Sequence, residues 1–308
     1  MTSLPPLHQL YYHRDFDGVV AAAMVQATTE TLLDLRPAQY APNLNWTAQH
    51  LAPGTAIVDF LFHPEAALWV DHHETTFATE AARTAFRADS HHVFVPSAAS
   101  CPEVIAELSW FEGGEHWREY IRWASVIDGA AYESAAQAND FGNPYVLLAH
   151  VIAELADVQS LATLIRAIGR CSAVEVLETQ ELRASRTRLL HNDAFVRGRL
   201  DSLLRVEGAV ALLDQATLDI PYRRYLAYEL YPHVRYGIGL YRSGEAIIVS
   251  VGQNPWNEPG PVNLGQLCRE FGGGGRQATA GVPVASVDAA KELASTLMER
   301  LNVALHEG

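Results

Sequence analysis

The segment Ala66-Ala67-Leu68-Trp69-Val70-Asp71-His72-His73 runs from five apolar residues directly into an acid and two imidazoles. Its apolar part is typical of a buried strand. An acid and two histidines are costly to bury in a core, so we expect this trio at the carboxyl edge of an open sheet, where ligands bind. A metal ion holding a phosphate would supply the missing charge partner. Taken alone, the segment is also compatible with a solvated loop that happens to contain two histidines.

Apolar runs on either side of this segment predict the rest of its domain. Strands are expected at Leu7–Tyr12, Thr55–Val58 and His92–Val95, and an apolar helix from Val19 to about Leu33. Strands that alternate with helices favour the α/β class, with a doubly wound and mostly parallel sheet.

Helices dominate the middle of the chain and strands return after residue 208. A charged helical stretch from Val174 to about Leu204 is the expected connector between two α/β domains. The predicted division is 1–182, a helical linker at 183–205, and a smaller α/β domain at 206–308. Further helices are predicted at Pro102–Phe111, His116–Ala131, Pro144–Leu155, Val158–Arg170, Leu264–Phe271 and Val287–Leu305, and further strands at Ala209–Leu213, Tyr236–Tyr241 and Ala246–Val251.

The composition excludes several classes of protein. A formal charge of −14 over 308 residues argues against binding long duplex nucleic acid, which needs basic faces. No apolar run approaches the roughly 20 residues that span a membrane, and the start of the chain lacks signal-peptide features. Three widely spaced cysteines make a disulfide framework or a cysteine zinc site improbable. We therefore expect a cytoplasmic protein.

Phosphate recognition cannot depend on a P-loop. Lys291 is the only lysine and it does not lie in a glycine-rich loop, whereas a P-loop NTPase needs such a lysine. Phosphate must instead be bound by arginine, histidine, backbone N–H groups or metal ions.

A second candidate segment is His13-Arg14-Asp15-Phe16-Asp17-Gly18. In extended chain its period of two places His13, Asp15 and Asp17 on one side, as three metal-type ligands. Gly18 would allow a sharp turn into the following helix. Such turns are common without a metal, and a calcium loop is excluded because Gln26 stands where that loop needs a glutamate.

Asp59 directly follows the apolar strand Thr55–Val58. It could merely cap a turn, but three successive strand ends then carry acidic residues. Carboxylates crowded in this way raise one another's pKa unless cations lie between them. Two divalent metals about 4 Å apart that share a carboxylate would remove the repulsion. A dinuclear metal site is therefore the favoured interpretation.

The run Gly272-Gly273-Gly274-Gly275-Arg276 follows a predicted helix. Four glycines exceed the needs of a helix C-cap. Accessible backbone N–H groups beside an arginine suit an anion. The alternative is a flexible hinge.

These motifs, in this order and spread, resemble the DHH phosphoesterase superfamily, in the branch with the DHH-associated C-terminal domain. The resemblance covers nearly the whole chain. It implies a fold with a DHH metal-binding catalytic domain and a substrate-binding C-terminal domain. Family members include nanoRNases (oligoribonucleases), pAp phosphatases, cyclic-dinucleotide phosphodiesterases, exopolyphosphatases and single-strand exonucleases, which use two Mn²⁺ or Mg²⁺ ions.

The resemblance implies metal ligands at the matching positions. His13 and Asp15 would hold one metal, Asp17 and His72 the other, and Asp59 would bridge both. One more aspartate is implied downstream: Asp128 is our choice because it follows an apolar helical run, with Asp140 as the alternative.

The resemblance also implies substrate-binding residues. His73, Gly272–Gly275 and Arg276 would bind the substrate phosphate, and Asp59, His73 and Arg276 are the expected catalytic residues. Arg276 is a departure, since most family members have histidine there. Arginine can bind phosphate but is a poor proton donor at neutral pH.

The expected function is a two-metal phosphodiesterase or phosphatase that acts on short oligonucleotides or small nucleotides, with Mn²⁺ favoured and Mg²⁺ the alternative. A homodimer is compatible with the sequence. The rival hypotheses are an exopolyphosphatase and a catalytically silent nucleotide-sensing module. An aromatic stacking platform would favour nucleotides, and a purely basic channel would favour polyphosphate. The complete acidic set argues against a silent module, because unpaired buried carboxylates carry a stability cost.

Overall fold

The computed structural model describes residues 3–40, 44–155, 157–218, 220–244 and 246–307. The chain forms two compact units, one of Met1–Tyr132 with Phe141–Leu189 and one of Glu133–Asp140 with Leu190–Gly308. Each unit has its own sheet, so the predicted α/β class is confirmed. Among the described residues, no helix is both long and apolar enough to cross a membrane.

The first unit contains a five-stranded parallel sheet. Its strands are β1 Gln9–His13, β2 Asp34–Ala38, β3 Thr55–Val58, β4 Leu68–Asp71 and β5 His92–Phe94. They lie in the order β2-β1-β3-β4-β5. The sequence analysis did not predict β2, because its residues Asp34-Leu35-Arg36-Pro37-Ala38 include two charged side chains and a proline and form no apolar run. Proline is tolerated there because β2 is an edge strand.

The helix after β1 is apolar on all sides and is buried along its length, as a central helix must be. Asp15 caps this helix by accepting a hydrogen bond from the Gly18 N–H at 2.9 Å. Gly18 is needed for close packing rather than for the predicted turn. A Cβ on Gly18 would lie 2.3 Å from the carbonyl oxygen of His13.

Helices dominate the chain between residues 101 and 203. The stretch predicted to be helical from Val174 to about Leu204 is helical, but it is divided into three helices, and a strand begins at Leu204. The helices are α1 Phe16–Thr28, α2 Glu80–Ala85, α3 Cys101–Ala106, α4 Glu115–Asp128, α5 Ala135–Ala138, α6 Pro144–Glu154, α7 Val158–Ile168, α8 Ala173–Leu177, α9 Gln180–Arg197, α10 Leu200–Leu203, α11 Leu226–Leu230, α12 Leu264–Arg269 and α13 Val287–Glu307.

The second unit contains a mixed six-stranded sheet. Its strands are β6 Leu204–Glu207, β7 Val210–Asp214, β8 Tyr236–Ser243, β9 Ala246–Gln253, β10 Gly274–Gly275 and β11 Thr279–Val284. They lie in the order β10-β11-β9-β8-β7-β6. Apolar residues of β7, β8, β9 and β11 pack with α12 and α13 to form the core of this unit. The sequence analysis missed β6, β10 and β11.

The second half of the glycine run, Gly274–Gly275, forms the edge strand β10. Gly272 (φ +79°) follows α12 and Gly275 has φ +151°, both conformations that favour glycine. A Cβ on Gly273 would lie 2.2 Å from the carbonyl oxygen of Gly281. Local backbone geometry therefore accounts for three of these glycines, while a Cβ on Gly274 would meet open space.

Candidate metal centre

Acidic and imidazole side chains converge at one edge of the first unit's sheet. They follow β1, β3 and β4, which are adjacent parallel strands. Their carboxyl ends therefore meet, as expected for an open α/β sheet. Asp128, the last residue of α4, joins them.

The side chains form two ligand groups that meet at Asp59. In the first group, His13 Nδ1 lies 2.8 Å from Asp15 Oδ2 and 3.7 Å from Asp59 Oδ2. In the second, His72 Nε2 lies 3.2 Å from Asp17 Oδ2 and 3.6 Å from Asp128 Oδ2. The same His72 atom is 3.7 Å from Asp59 Oδ1. The two oxygens of Asp59 thus face different ligand groups.

Several polar atoms of this centre are buried without a hydrogen-bond partner. Asp59 is fully buried, and neither of its carboxylate oxygens has such a partner. Asp17 Oδ1 shares this condition, while His13 Nδ1 and His72 Nε2 are buried and face carboxylate oxygens. Buried polar atoms normally have hydrogen-bond partners. Bringing these atoms together without partners therefore lowers the stability of the fold unless another group binds them. Aspartate and histidine donors within 4.8 Å of one another fit divalent cations.

Burial and mutual repulsion raise the pKa of the central carboxyl groups. Burial raises the pKa of Asp59 well above its usual value, and Asp17 and Asp15 raise it further. Burial also raises the pKa of Asp17 to about 6, even though a hydrogen bond with His72 opposes the shift. Such a cluster favours cations, either protons or metal ions.

The pKa values of Asp15 and His72 are shifted in the direction that their hydrogen-bond partners favour, against the effect of burial. Burial tends to raise the pKa of Asp15, but the hydrogen bond and charge of His13 outweigh it and lower that pKa. Burial likewise opposes the charged form of His72, yet the hydrogen bond and charge of Asp17 raise its pKa to about 9.

Backbone groups orient the second ligand group. His72 Nδ1 lies 3.0 Å from the carbonyl oxygen of Ala98, to which it donates when protonated. This contact leaves the Nε2 lone pair for a cation, as is usual for metal-binding histidines. Asp17 Oδ2 accepts a hydrogen bond from the Cys101 N–H at 3.0 Å. Both contacts fix their side chains towards Asp59.

Asp59 has an unusual backbone conformation. Its φ of 54° lies in the left-handed region, which aspartate tolerates better than most residues. Its N–H donates to the carbonyl oxygen of Val70 at 3.0 Å. The chain therefore turns at Asp59 while remaining attached to β4.

His73 is oriented by Asp71. Asp71 Oδ1 accepts from the backbone N–H groups of His72 and His73, at 2.7 and 3.2 Å. It also lies 3.0 Å from His73 Nδ1, and Asp71 Oδ2 accepts from the hydroxyl of Thr76. Hydrogen bonding to Asp71 raises the pKa of His73.

Other candidate residues belong to neither of these ligand groups. Asp140 belongs to the second unit and to no ligand group of the described residues, whereas Asp128 belongs to one. The guanidinium of Arg14 donates to the carbonyl oxygen of Leu155, so it does not join the ligands. Gly272–Gly275 and the exposed Arg276 are in the second unit.

The sequence analysis missed Tyr40, Thr76 and Cys101. The Tyr40 ring lies 5.0 Å from the His13 ring and 4.9 Å from the Phe60 ring, measured between centroids. Burial and then the nearby carboxylates raise the pKa of Tyr40. Recognition of β2 would have revealed Tyr40, because it follows that strand at the same sheet edge.

No protein-family model matches the sequence, and no curated protein matches it either. Solved structures do match. The pGpG-specific phosphodiesterase PggH from Vibrio cholerae has a TM-score of 0.77 at 19% identity, covering 96% of this chain and 99% of PggH.

RecJ from Thermus thermophilus, solved in complex with Mn²⁺, has a TM-score of 0.51 at 14% identity. The match covers 95% of this chain and 52% of RecJ. This chain therefore has the fold of PggH and of about half of RecJ, which confirms the fold expected from its resemblance to the DHH phosphoesterase superfamily.

Proposed function

We propose that this protein is a metal-dependent phosphoesterase that hydrolyses phosphoester bonds of small nucleotides or short oligonucleotides. The observation that carries the proposal is Asp59, whose two buried oxygens face two different ligand groups and have no hydrogen-bond partner. A bridging carboxylate is typical of two-metal phosphoesterase centres. The similarity to PggH, named a pGpG-specific phosphodiesterase, supports a nucleotide substrate.

Two divalent cations fit the donors of this centre. His13 and Asp15 would hold one, Asp17, His72 and Asp128 the other, and Asp59 both. Mixed imidazole and carboxylate donors suit Mn²⁺ better than Mg²⁺, which prefers oxygen ligands. The Mn²⁺ in the RecJ structure supports the same choice. When bound, such ions supply positive charge for phosphoryl oxygens and lower the pKa of water.

Protein groups then bind and orient the substrate. His73, whose Nδ1 is engaged by Asp71, keeps Nε2 available to donate a hydrogen bond to a phosphate oxygen. Arg276 and the backbone of Gly272–Gly275 are the proposed phosphate contacts of the second unit. A guanidinium there remains charged throughout the physiological pH range, so its role is binding rather than proton transfer.

The proposed division of labour follows the sequence prediction: metal binding by residues 1–182, linkage by 183–205 and substrate binding by 206–308. We propose a cytoplasmic location, since Cys101, Cys171 and Cys268 are all free thiols. Light scattering on the purified protein would test whether it is a homodimer.

The test is hydrolysis by the full-length protein after EDTA treatment and desalting. The substrates are pGpG, pAp, a cyclic dinucleotide and polyphosphate, each with no metal, Mn²⁺ or Mg²⁺. We expect no turnover without metal and recovery with Mn²⁺ on at least one nucleotide. Full activity after chelation would contradict the metal requirement. Failure to hydrolyse any of them with Mn²⁺ would favour a nucleotide-sensing module.

A further inference from the structure

The second unit contains a cavity of about 260 Å³ that the metal centre does not explain. It lies on the face of the sheet opposite the core. Along β8, the core residues Tyr236, Ile238 and Leu240 alternate with Gly237, Gly239 and Tyr241. The cavity is lined by two residues of the second set and by neighbouring residues on β9 and β11. Three further lining residues come from the segment before β8: Tyr222, Arg224 and Tyr228.

Small residues form the floor of this cavity. Gly237, Ser250, Gly252 and Gly281 all line it. A Cβ on Gly237 would lie 2.7 Å from the hydroxyl oxygen of Tyr228, so glycine leaves room for that ring. The floor is therefore flat, and its shape depends on the absence of side chains.

Tyrosines form the walls. Tyr222 and Tyr241 stack with ring centroids 4.8 Å apart and an interplanar angle of 4°. A Cβ on Gly239 would lie 2.1 Å from the Tyr222 ring, so this glycine is needed for the stacked pair. The Tyr228 hydroxyl donates to the carbonyl oxygen of Gly252 at 2.9 Å. These contacts fix the rings before any ligand binds.

Arg224 supplies a cation to the same cavity. It is exposed, it donates to the Thr279 hydroxyl at 3.2 Å, and its guanidinium lies 5.4 Å from the Tyr225 ring centroid. Arg276 is also exposed, and its backbone N–H bonds to the Thr279 carbonyl at 2.8 Å. Within the described part of the chain, neither arginine forms an ion pair with a carboxylate, although the chain has a net charge of −14.

We propose that this cavity binds the base of a nucleotide, with the nucleotide's phosphate on Arg224. Flat aromatic walls suit a base, because every base has a π-face to stack. An arginine at the cavity suits phosphate, since its planar fork matches phosphate oxygens. Polyphosphate would use the cation but not the tyrosines. The inference rests on the proposed function and assigns a place in the second unit to the base and phosphate of its nucleotide substrate.

The test is binding to the full-length protein in EDTA, measured by calorimetry with GMP and with ribose 5-phosphate. We expect Tyr241→Ala to weaken GMP binding by roughly tenfold while sparing ribose 5-phosphate, because only GMP has a base to stack. Arg224→Ala should weaken both ligands by a similar factor. Tyr241→Phe keeps the ring and should bind GMP as the wild type does.

Matched controls lie in the same unit. Tyr231→Ala and Arg242→Ala change exposed residues that do not line the cavity, and both should leave binding unaltered. Should Tyr241→Ala fail to fold, Ile248→Phe offers a second variant, since the larger side chain would fill the cavity and weaken GMP binding. Unchanged GMP affinity in Arg224→Ala together with Tyr241→Ala or Ile248→Phe would overturn the proposal.

Failure of this inference is distinguishable from failure of the proposed function. Binding in EDTA does not require hydrolysis, so expected binding results with no turnover in Mn²⁺ would support the cavity and reject the hydrolase. Conversely, turnover with an unchanged KM for pGpG in Arg224→Ala and Tyr241→Ala would reject the cavity and leave the hydrolase standing.

Discussion

Asp71 Oδ1 lies 3.0 Å from His73 Nδ1, and this contact determines which atom of the imidazole is left for a substrate. Asp71 is fully buried and also accepts from two backbone N–H groups. Thr76, itself fully buried, donates to the other oxygen of Asp71. Each carboxylate oxygen of Asp71, the first residue of the Asp-His-His segment, thus has a hydrogen-bond partner within the protein.

Thr76→Val should lower kcat by roughly tenfold, the usual scale for a residue that orients a site group through another. Valine has nearly the same shape but cannot hold the second oxygen of Asp71. Steady-state kinetics with Mn²⁺ would measure the effect. Thr75→Val is the control, because Thr75 is exposed and should tolerate the change. Equal losses in both variants would contradict the proposed role of Thr76.

Asp59→Asn should lower kcat/KM by roughly 100-fold or more, and by more than Asp128→Asn does, since Asp59 serves both ligand groups. Asparagine also tolerates the left-handed backbone of Asp59, so the change tests charge rather than folding. Asp140→Asn is the control for Asp128→Asn and should be nearly silent. A loss in Asp140→Asn with none in Asp128→Asn would reverse our assignment of the last ligand.

The stability of the metal-free protein should fall as pH rises. The pKa of His72, about 9 in the fold against an ordinary value near 6.5, means that its stabilising contribution is complete below about pH 6.5 and is lost towards pH 9. The pKa of Asp17 is raised to about 6, so the fold also loses stability as this carboxyl ionises between about pH 4 and 6.

Mn²⁺ should reverse this trend, because metal ligands must be deprotonated to bind. We expect the rise in Tm caused by Mn²⁺ to be larger at pH 8 than at pH 6 by at least about 3 °C, the scale of 1 kcal/mol in a domain of this size. Thermal unfolding with EDTA or with Mn²⁺ would measure it. A metal-induced rise in Tm that shrinks from pH 6 to pH 8 would show that His72 is not a ligand.

Arg276→Ala should raise KM or lower kcat by roughly tenfold, because a charge-assisted bond to phosphate is lost, and should leave Mn²⁺ affinity unaltered. Arg276→His should keep more activity than alanine below about pH 6.5 and lose that advantage above it, as histidine loses its charge. Arg242→Ala, another exposed arginine of this unit, is the control. Kinetics equal to the wild type in Arg276→Ala at every pH would exclude a phosphate contact.

Several of the residues that the structure brings together have a local signal in the sequence. His13, Asp59 and Asp71 end or follow apolar strands, and adjacent parallel strands bring those ends together. Asp128 required a different signal, since it ends the amphipathic helix α4. The assignment of these residues to particular metals came from the resemblance to the DHH phosphoesterase superfamily and not from these local signals.

Other parts of the structure had no such signal. The edge strand β2 contains two charged residues and a proline, and β11 follows a glycine run that conceals the start of a strand. The contact of Ala98 with His72 uses a backbone carbonyl, which side-chain identity does not reveal. The cavity of the second unit depends on glycines facing tyrosines that are distant in sequence, such as Gly239 and Tyr222.

The chain leaves the first unit after Tyr132, returns at Phe141 and leaves again after Leu189. The segment Glu133–Asp140 packs as part of the second unit. Ala138 is buried, and Asn139 accepts a hydrogen bond from Arg223 at 3.2 Å. Neither unit is therefore one continuous stretch of the gene. A recombination event that moved residues 190–308 to another protein would leave behind residues 133–140, which contain helix α5. The surface of the second unit that α5 covers would then be exposed. The two units are consequently expected to have been inherited as a pair, with their substrate range changing by point substitution rather than by exchange of modules.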